Sequence, residues 1–94
     1  PNSVDMVRHY IKLYHLDFME LLPRNTSEKL TNSDELLCMM IKLEYPNKEI
    51  ASILSITTNS VITARYRLKR KLGLTQDQQL DTWIQSIGKT EEPK

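Results

Sequence analysis

Arg65, Arg67, Lys69, Arg70 and Lys71 lie within seven residues of one another, in the stretch VITARYRLKRKL at 61–72, and no acid interrupts them. Cationic groups at this density attract polyanions. Just ahead of them stand Asn59, Ile62 and Thr63, and Tyr66 lies between Arg65 and Arg67. Those side chains can hydrogen-bond base edges or touch thymine methyls, whereas arginines and lysines suit phosphates. The chain as a whole hides this: 13 Lys+Arg against 12 Asp+Glu give a net charge of +1. The positive charge is local, and 30–46 and 75–94 each carry a net charge of −2.

Other chemistry finds little support. His9 and His15 are six residues apart and share no helix face, and Cys38 has no base near it in sequence. No His/Cys cluster has metal-ligand spacing. Gly73 and Gly88 are the only glycines, so there is no glycine-rich phosphate loop. The residues therefore point to no enzyme, no cofactor and no metal. One cysteine allows no intrachain disulfide, which suits a reducing compartment, and Cys38 reads as a core residue. No apolar run is long enough to span a membrane and no signal peptide is evident, so the expected location is cytoplasmic, without membrane contact. The chain starts at Pro1, not Met, and reads as part of a longer regulator.

The elements that hold the cations are helical. The 94 residues, 39% of them hydrophobic, fit one modest core. No stretch alternates like a half-buried strand. Val4, Val7, Ile11, Tyr14, Phe18 and Leu21 follow a short a/d seam. It reads as an amphipathic helix packed on the same domain or as the tail of a dimerising linker. Asp17 can cap a short second helix, and 23–27 read as a loop. Thr31 and Asp34 have capping-box spacing ahead of a helix that reaches about Leu43, and Pro46 ends it. Asn47 can cap the next helix, which carries Ile50, Ile53 and Leu54. Ser55, Ile56 and Thr57 form a turn, with Ile56 inward. Thr57 or Thr58 caps a longer helix to Leu72, closed by Gly73. Thr75 caps a last helix carrying Leu80, Trp83, Ile84 and Ile87.

On a helical wheel, Val61, Ala64, Leu68 and Leu72 share one face, which belongs to the core. Asn59, Thr63, Tyr66 and Arg70 lie opposite, flanked by Ile62 and Arg67. Lys69 and Lys71 sit on the shoulders, and Arg65 lies near the core edge. A short helix, a tight turn and a second helix of this design is the helix-turn-helix layout, whose second helix enters the DNA major groove.

Leu30 to Leu74 resembles, without a gap, the LuxR/GerE-type effector domain. The most specific parts are NKEIA at 47–51, SIT at 55–57 with Ser60 and Val61, and KLGL at 71–74. HLDFMELL at 15–22 is similar to a segment preceding this domain in Bacteroidetes regulators. The resemblance implies an all-α LuxR-type helix-turn-helix bundle of four core helices, preceded by an N-terminal helical segment. The divisions expected are a linker segment at 1–29, the DNA-binding domain at 30–88 and a disordered tail at 89–94. The implied function is sequence-specific double-stranded DNA binding in transcription control, with recognition helix 58–72 in the major groove. By position, the resemblance puts base contacts on Ile62, Thr63 and Tyr66, with Asn59 added from the wheel. It puts phosphate contacts near Lys48, Thr58, Ser60, Arg65, Arg67, Lys69 and Arg70. It implies a homodimer on DNA, with Leu80, Trp83, Ile84 and Ile87 as candidate contacts; for Trp83, Ile84 and Ile87 the alternative is closure of the core against the first helix. RNA polymerase and an upstream sensor or repeat domain are further implied partners. Ile62, Ala64 and Ser55 stand where the family carries lysine, histidine and glycine, so the target of better-known members does not transfer. Two other readings remain: a helix-turn-helix scaffold reused for protein interaction, and a sigma-factor-like promoter-reading domain.

Overall fold

The computed structural model describes residues 3–22 and 28–88. Among these residues six helices follow in order: α1 (Val4–Tyr14), α2 (Phe18–Leu21), α3 (Asn32–Lys42), α4 (Asn47–Leu54), α5 (Thr58–Lys71) and α6 (Leu80–Ser86). No strand occurs among the described residues. The fold is the all-α helix-turn-helix bundle that the sequence implied. The loop expected at 23–27 and the tail expected at 89–94 lie outside the described residues.

Helix α3 is the axis of the bundle. It starts at a complete capping box. The Thr31 hydroxyl accepts the Asp34 N–H at 3.1 Å, and the Asp34 carboxylate accepts the Thr31 N–H at 2.8 Å. These contacts satisfy two donors that the first helical turn leaves open. Every residue from Leu36 to Lys42 is buried, because α1, α5 and α6 pack around this helix. Cys38 is fully enclosed, and burial pushes its thiol pKa up to about 12.

Helix α1 adds Val7 and Ile11 to the same core, and the α2 region adds Phe18 and Leu22. The a/d seam is therefore only partly used. Tyr14 and Leu21 project into solvent, because the chain turns at His15–Asp17 before the seam can continue. The buried half of the seam matches the amphipathic-helix reading.

Lys42 joins α3 to α6. Its Nζ donates to the carbonyls of Gln85 at 2.9 Å and Ile87 at 2.6 Å, and sits 5.6 Å from the centroid of the Phe18 ring. Carbonyls at a helix C-terminus carry partial negative charge, so a buried ammonium finds compensation there. Gln85 returns the contact, donating from Nε2 to the Ile41 carbonyl at 3.2 Å.

Three helix ends close in the same way. Glu44, Ser55 and Gly73 have positive φ, and the amide that follows each bonds back into the last turn: Tyr45 to Met40, Ile56 to Ala51, Leu74 to Lys69. This is the Schellman closure. Gly73 adopts it without strain, whereas a side chain in the left-handed region costs about 1 kcal/mol.

Several boundaries differ from expectation. Pro46, not Asn47, is the N-cap of α4; its φ of −72° and ψ of 160° pre-set the entry, and Asn47 is the first helical residue. The last helix begins at Leu80, not after Thr75. The segment after Thr75 closes on itself, with the Gln78 N–H donating to the Thr75 carbonyl at 3.1 Å and the Thr75 N–H to Gln78 Oε1 at 2.8 Å. Ile56 is exposed, not inward.

Candidate nucleic-acid interface

Helices α4 and α5 pack against each other through the turn at Ser55–Thr57. Ser55 takes the left-handed conformation, with φ 58° and ψ 44°, and reverses the chain. Thr57 then caps α5: its Oγ1 accepts the Ser60 N–H at 3.0 Å, and its hydroxyl donates to Ser60 Oγ at 3.0 Å. Helix α5 therefore begins at a fixed point, and the Gly73 closure fixes its other end.

The two faces of α5 are as the wheel placed them. Val61 and Leu68 are fully buried, and Ala64 and Leu72 pack at the margin of the core. Asn59, Ile62, Thr63, Tyr66, Arg67 and Arg70 are exposed. Ile62 is 51% and Tyr66 67% exposed, so both large side chains stand out from the surface. Thr58 and Ser60 are exposed on the first turn of α5, and Lys48 on the first turn of α4. The structure thus brings the candidate base-reading residues together on the N-terminal half of one helix face. The outermost cations follow on its C-terminal half.

The cationic run is divided by partners that are distant in sequence. Arg65 forms a hydrogen-bonded ion pair with Asp81, in the first turn of α6. Burial lowers the Arg65 pKa from its ordinary value. Lys71 Nζ donates to Asp34 Oδ2 at 2.6 Å, which ties the end of α5 to the capping box of α3. Burial works against the Asp34 charge, but Lys71 and the Thr31 bonds prevail and hold its carboxyl below the ordinary value. Lys69 Nζ lies 3.4 Å from the Gln76 carbonyl. Arg67 and Arg70 have no partner among the described residues. The absence of acids in the local sequence therefore does not mean five outward charges. Arg65 in particular is turned toward α6.

Sequence reasoning missed Asp81 and Asp34 as partners of these cations, since neither lies near the basic stretch in the chain. It also missed the open groove beside α5, whose walls include Asn47, Ile62, Arg65, Tyr66, Lys69 and Asp81. The groove exists because α6 starts late and brings its first turn alongside the middle of α5.

The candidate dimer residues separate into two pairs. Leu80 and Ile84 are buried in this chain's own core and are not available as surface. Trp83 and Ile87 are half-buried against that core. Trp83 also borders a shallow depression with Asp77, Gln78, Gln79, Thr82 and Ser86.

Among the described residues, no group of three or more His, Cys, Asp or Glu side chains is placed to hold a metal ion. No described helix is long and apolar enough to cross a membrane. The family model for bacterial regulatory proteins of the luxR family matches residues 29–84. Neither the curated proteins nor the solved structures contain a significant match. The matched stretch holds the capping box of α3, the α4–α5 pair and most of α6. By that match and by its helical architecture, the chain belongs to the luxR family of bacterial regulatory proteins and carries that family's DNA-binding helix-turn-helix.

Proposed function

We propose that this chain binds specific double-stranded DNA sequences in transcription control, with α5 in the major groove. The observation that carries the reading is the exposed face of α5. Asn59, Ile62, Thr63 and Tyr66 would meet base edges, while Lys48, Thr58, Ser60, Lys69, Arg67 and Arg70 would position the helix on phosphates. The buried face of the same helix, Val61 and Leu68, holds that arrangement rigid. On DNA the protein would act as a homodimer with recognition helices about 34 Å apart, matching one turn of the duplex. Trp83 and Ile87 are the contacts left for such a dimer from the original four. The place of action would be the cytoplasm, with RNA polymerase and an upstream sensor or repeat domain as further partners. Residues 1–29 would serve as the segment joining that upstream part to the DNA-binding domain, with α1 seated on α3.

Fluorescence anisotropy of a labelled random duplex at about 50 and 200 mM salt tests the reading. Lys48, Lys69, Arg67 and Arg70 give a slope of log K against log salt near −3 to −4 per protomer, at about 0.9 per phosphate. Operator selection would follow, with Thr63→Ala and Tyr66→Ala relaxing base preference and Arg70→Ala weakening all sequences alike. No binding at the lower salt would leave the exposed Ile62 and Tyr66 as a protein-interaction surface.

A further inference from the structure

The Arg65–Asp81 pair borders the groove that the proposed DNA contacts share. Ile62, Arg65 and Lys69 form one stripe of α5 at helical spacing, and Tyr66 lies beside it. The Arg65 side chain is 20% exposed, so its stem is packed and only its guanidinium is available to a partner. Asp81 supplies that partner and is itself 51% exposed. A carboxylate in this position has two effects on an approaching phosphate. It occupies the guanidinium that the phosphate would otherwise take, and it repels the phosphate directly. Arg67 and Arg70, which no carboxylate occupies among the described residues, lie on the outer face of the same helix.

We propose that Asp81 is a built-in rival to the DNA phosphate: by holding Arg65, it lowers both the affinity and the salt sensitivity of the groove beside α5. The proposal rests on the DNA-binding reading and concerns how strongly that surface binds. The pair keeps one cation in reserve. Wild-type protein binds DNA with the charges of α4 and the outer face of α5, and loss of the Asp81 charge brings Arg65 into the set. Arg65 is in this sense a positioning residue of the free protein, docking α6 on the recognition helix.

The test is salt-dependent anisotropy on one labelled duplex with wild type, Asp81→Asn, Arg65→Gln and the double variant. Asp81→Asn should bind several-fold more tightly at 50 mM salt. Its slope should steepen by about 0.9, so that it loses about three- to four-fold more affinity than wild type between 50 and 200 mM. In the Arg65→Gln background the same change should bring a smaller gain, from the lost repulsion alone, and no steepening of the slope. A gain of equal size in both backgrounds would show only a general field from Asp81 and would overturn the proposal. So would unchanged binding by Asp81→Asn. A second measurement needs no substitution: in wild type, the Arg65 side-chain NεH resonance should stay in place when duplex is added, while those of Arg67 and Arg70 move. Joint movement of all three would mean that Arg65 already reaches phosphate, against the proposal. Failure of the wild type itself to bind would remove the DNA-binding reading and this inference with it. Binding by the wild type without an Asp81 effect removes this inference alone.

Discussion

Helices α3 and α5 handle their cations in opposite ways. In α3, Lys42 is buried and capped by the carbonyl end of α6. In α5, Arg67 and Arg70 face outward, while the cations at the margin find internal partners: carboxylates for Arg65 and Lys71, and the Gln76 carbonyl for Lys69. Residue type does not separate these cases. Neighbours do: α3 is surrounded by three helices, whereas α5 is packed on one side and open on the other. A cation that the bundle encloses becomes part of the fold, and one that it leaves outside becomes available to a ligand.

The sharpest way to break this comparison is within α5 itself. Leu68→Ala should lower the free energy of unfolding by about 3–4 kcal/mol, because it empties a fully enclosed site. Arg67→Ala, one residue earlier, should change stability by less than about 0.5 kcal/mol yet flatten the salt slope of DNA binding by about 0.9. Urea melts and anisotropy on the same samples read both effects. Equal destabilisation by the two variants would mean that α5 is not two-faced.

Lys42→Met comes next. It keeps the packed stem and removes two charged hydrogen bonds, for an expected loss of about 2 kcal/mol in urea. The DNA salt slope should not change, since this ammonium lies inside the bundle. A flatter slope would place Lys42 in the outward set.

The Asp34–Lys71 pair lies between these extremes, and pH exposes it. The folded-state pKa of Asp34 lies below its unfolded value of 3.8. Its contribution is therefore fully present above that value and is lost as pH falls through the lower folded pKa. Asp34→Asn should weaken the acid-side loss of stability seen in thermal melts between about pH 5 and pH 2. Identical pH profiles for variant and wild type would sink this assignment. The smallest effect concerns the turn before α5. Ser55→Gly should raise stability by about 1 kcal/mol by relieving the left-handed backbone. A loss of stability would mean that the serine side chain contributes more than its conformation costs.

Local signals were legible where the chemistry that fixes an element lies within a few residues. The Thr31–Asp34 capping box, the Thr57 cap, the Gly73 closure and the two faces of α5 all follow from short spacings. Legibility failed where distant groups compete. Thr75 is a good cap by type and Gln78 accepts its amide, yet the segment closes only as a turn, Gln78 N–H on the Thr75 carbonyl, and the helix waits until Leu80. Tyr14 and Leu21 continue an apolar pattern that the turn at His15–Asp17 removes from the core. The wheel set Arg65 near the core edge and Lys71 on a shoulder, but it could not show the carboxylates of Asp81 and Asp34 that the bundle brings beside them. The candidate base-reading face needed no such knowledge, since α5 carries it alone. The groove beside it did, since one wall is α6.

The double closure of α5 has a thermodynamic consequence. Thr57 at one end and the Gly73 turn at the other complete the helix before any partner arrives. Association then orders little backbone, and the entropy that a folding-on-binding segment would lose does not enter. Calorimetry of the DNA complex should accordingly show a heat-capacity change set by the surface the two molecules cover, without the larger change that accompanies coupled folding.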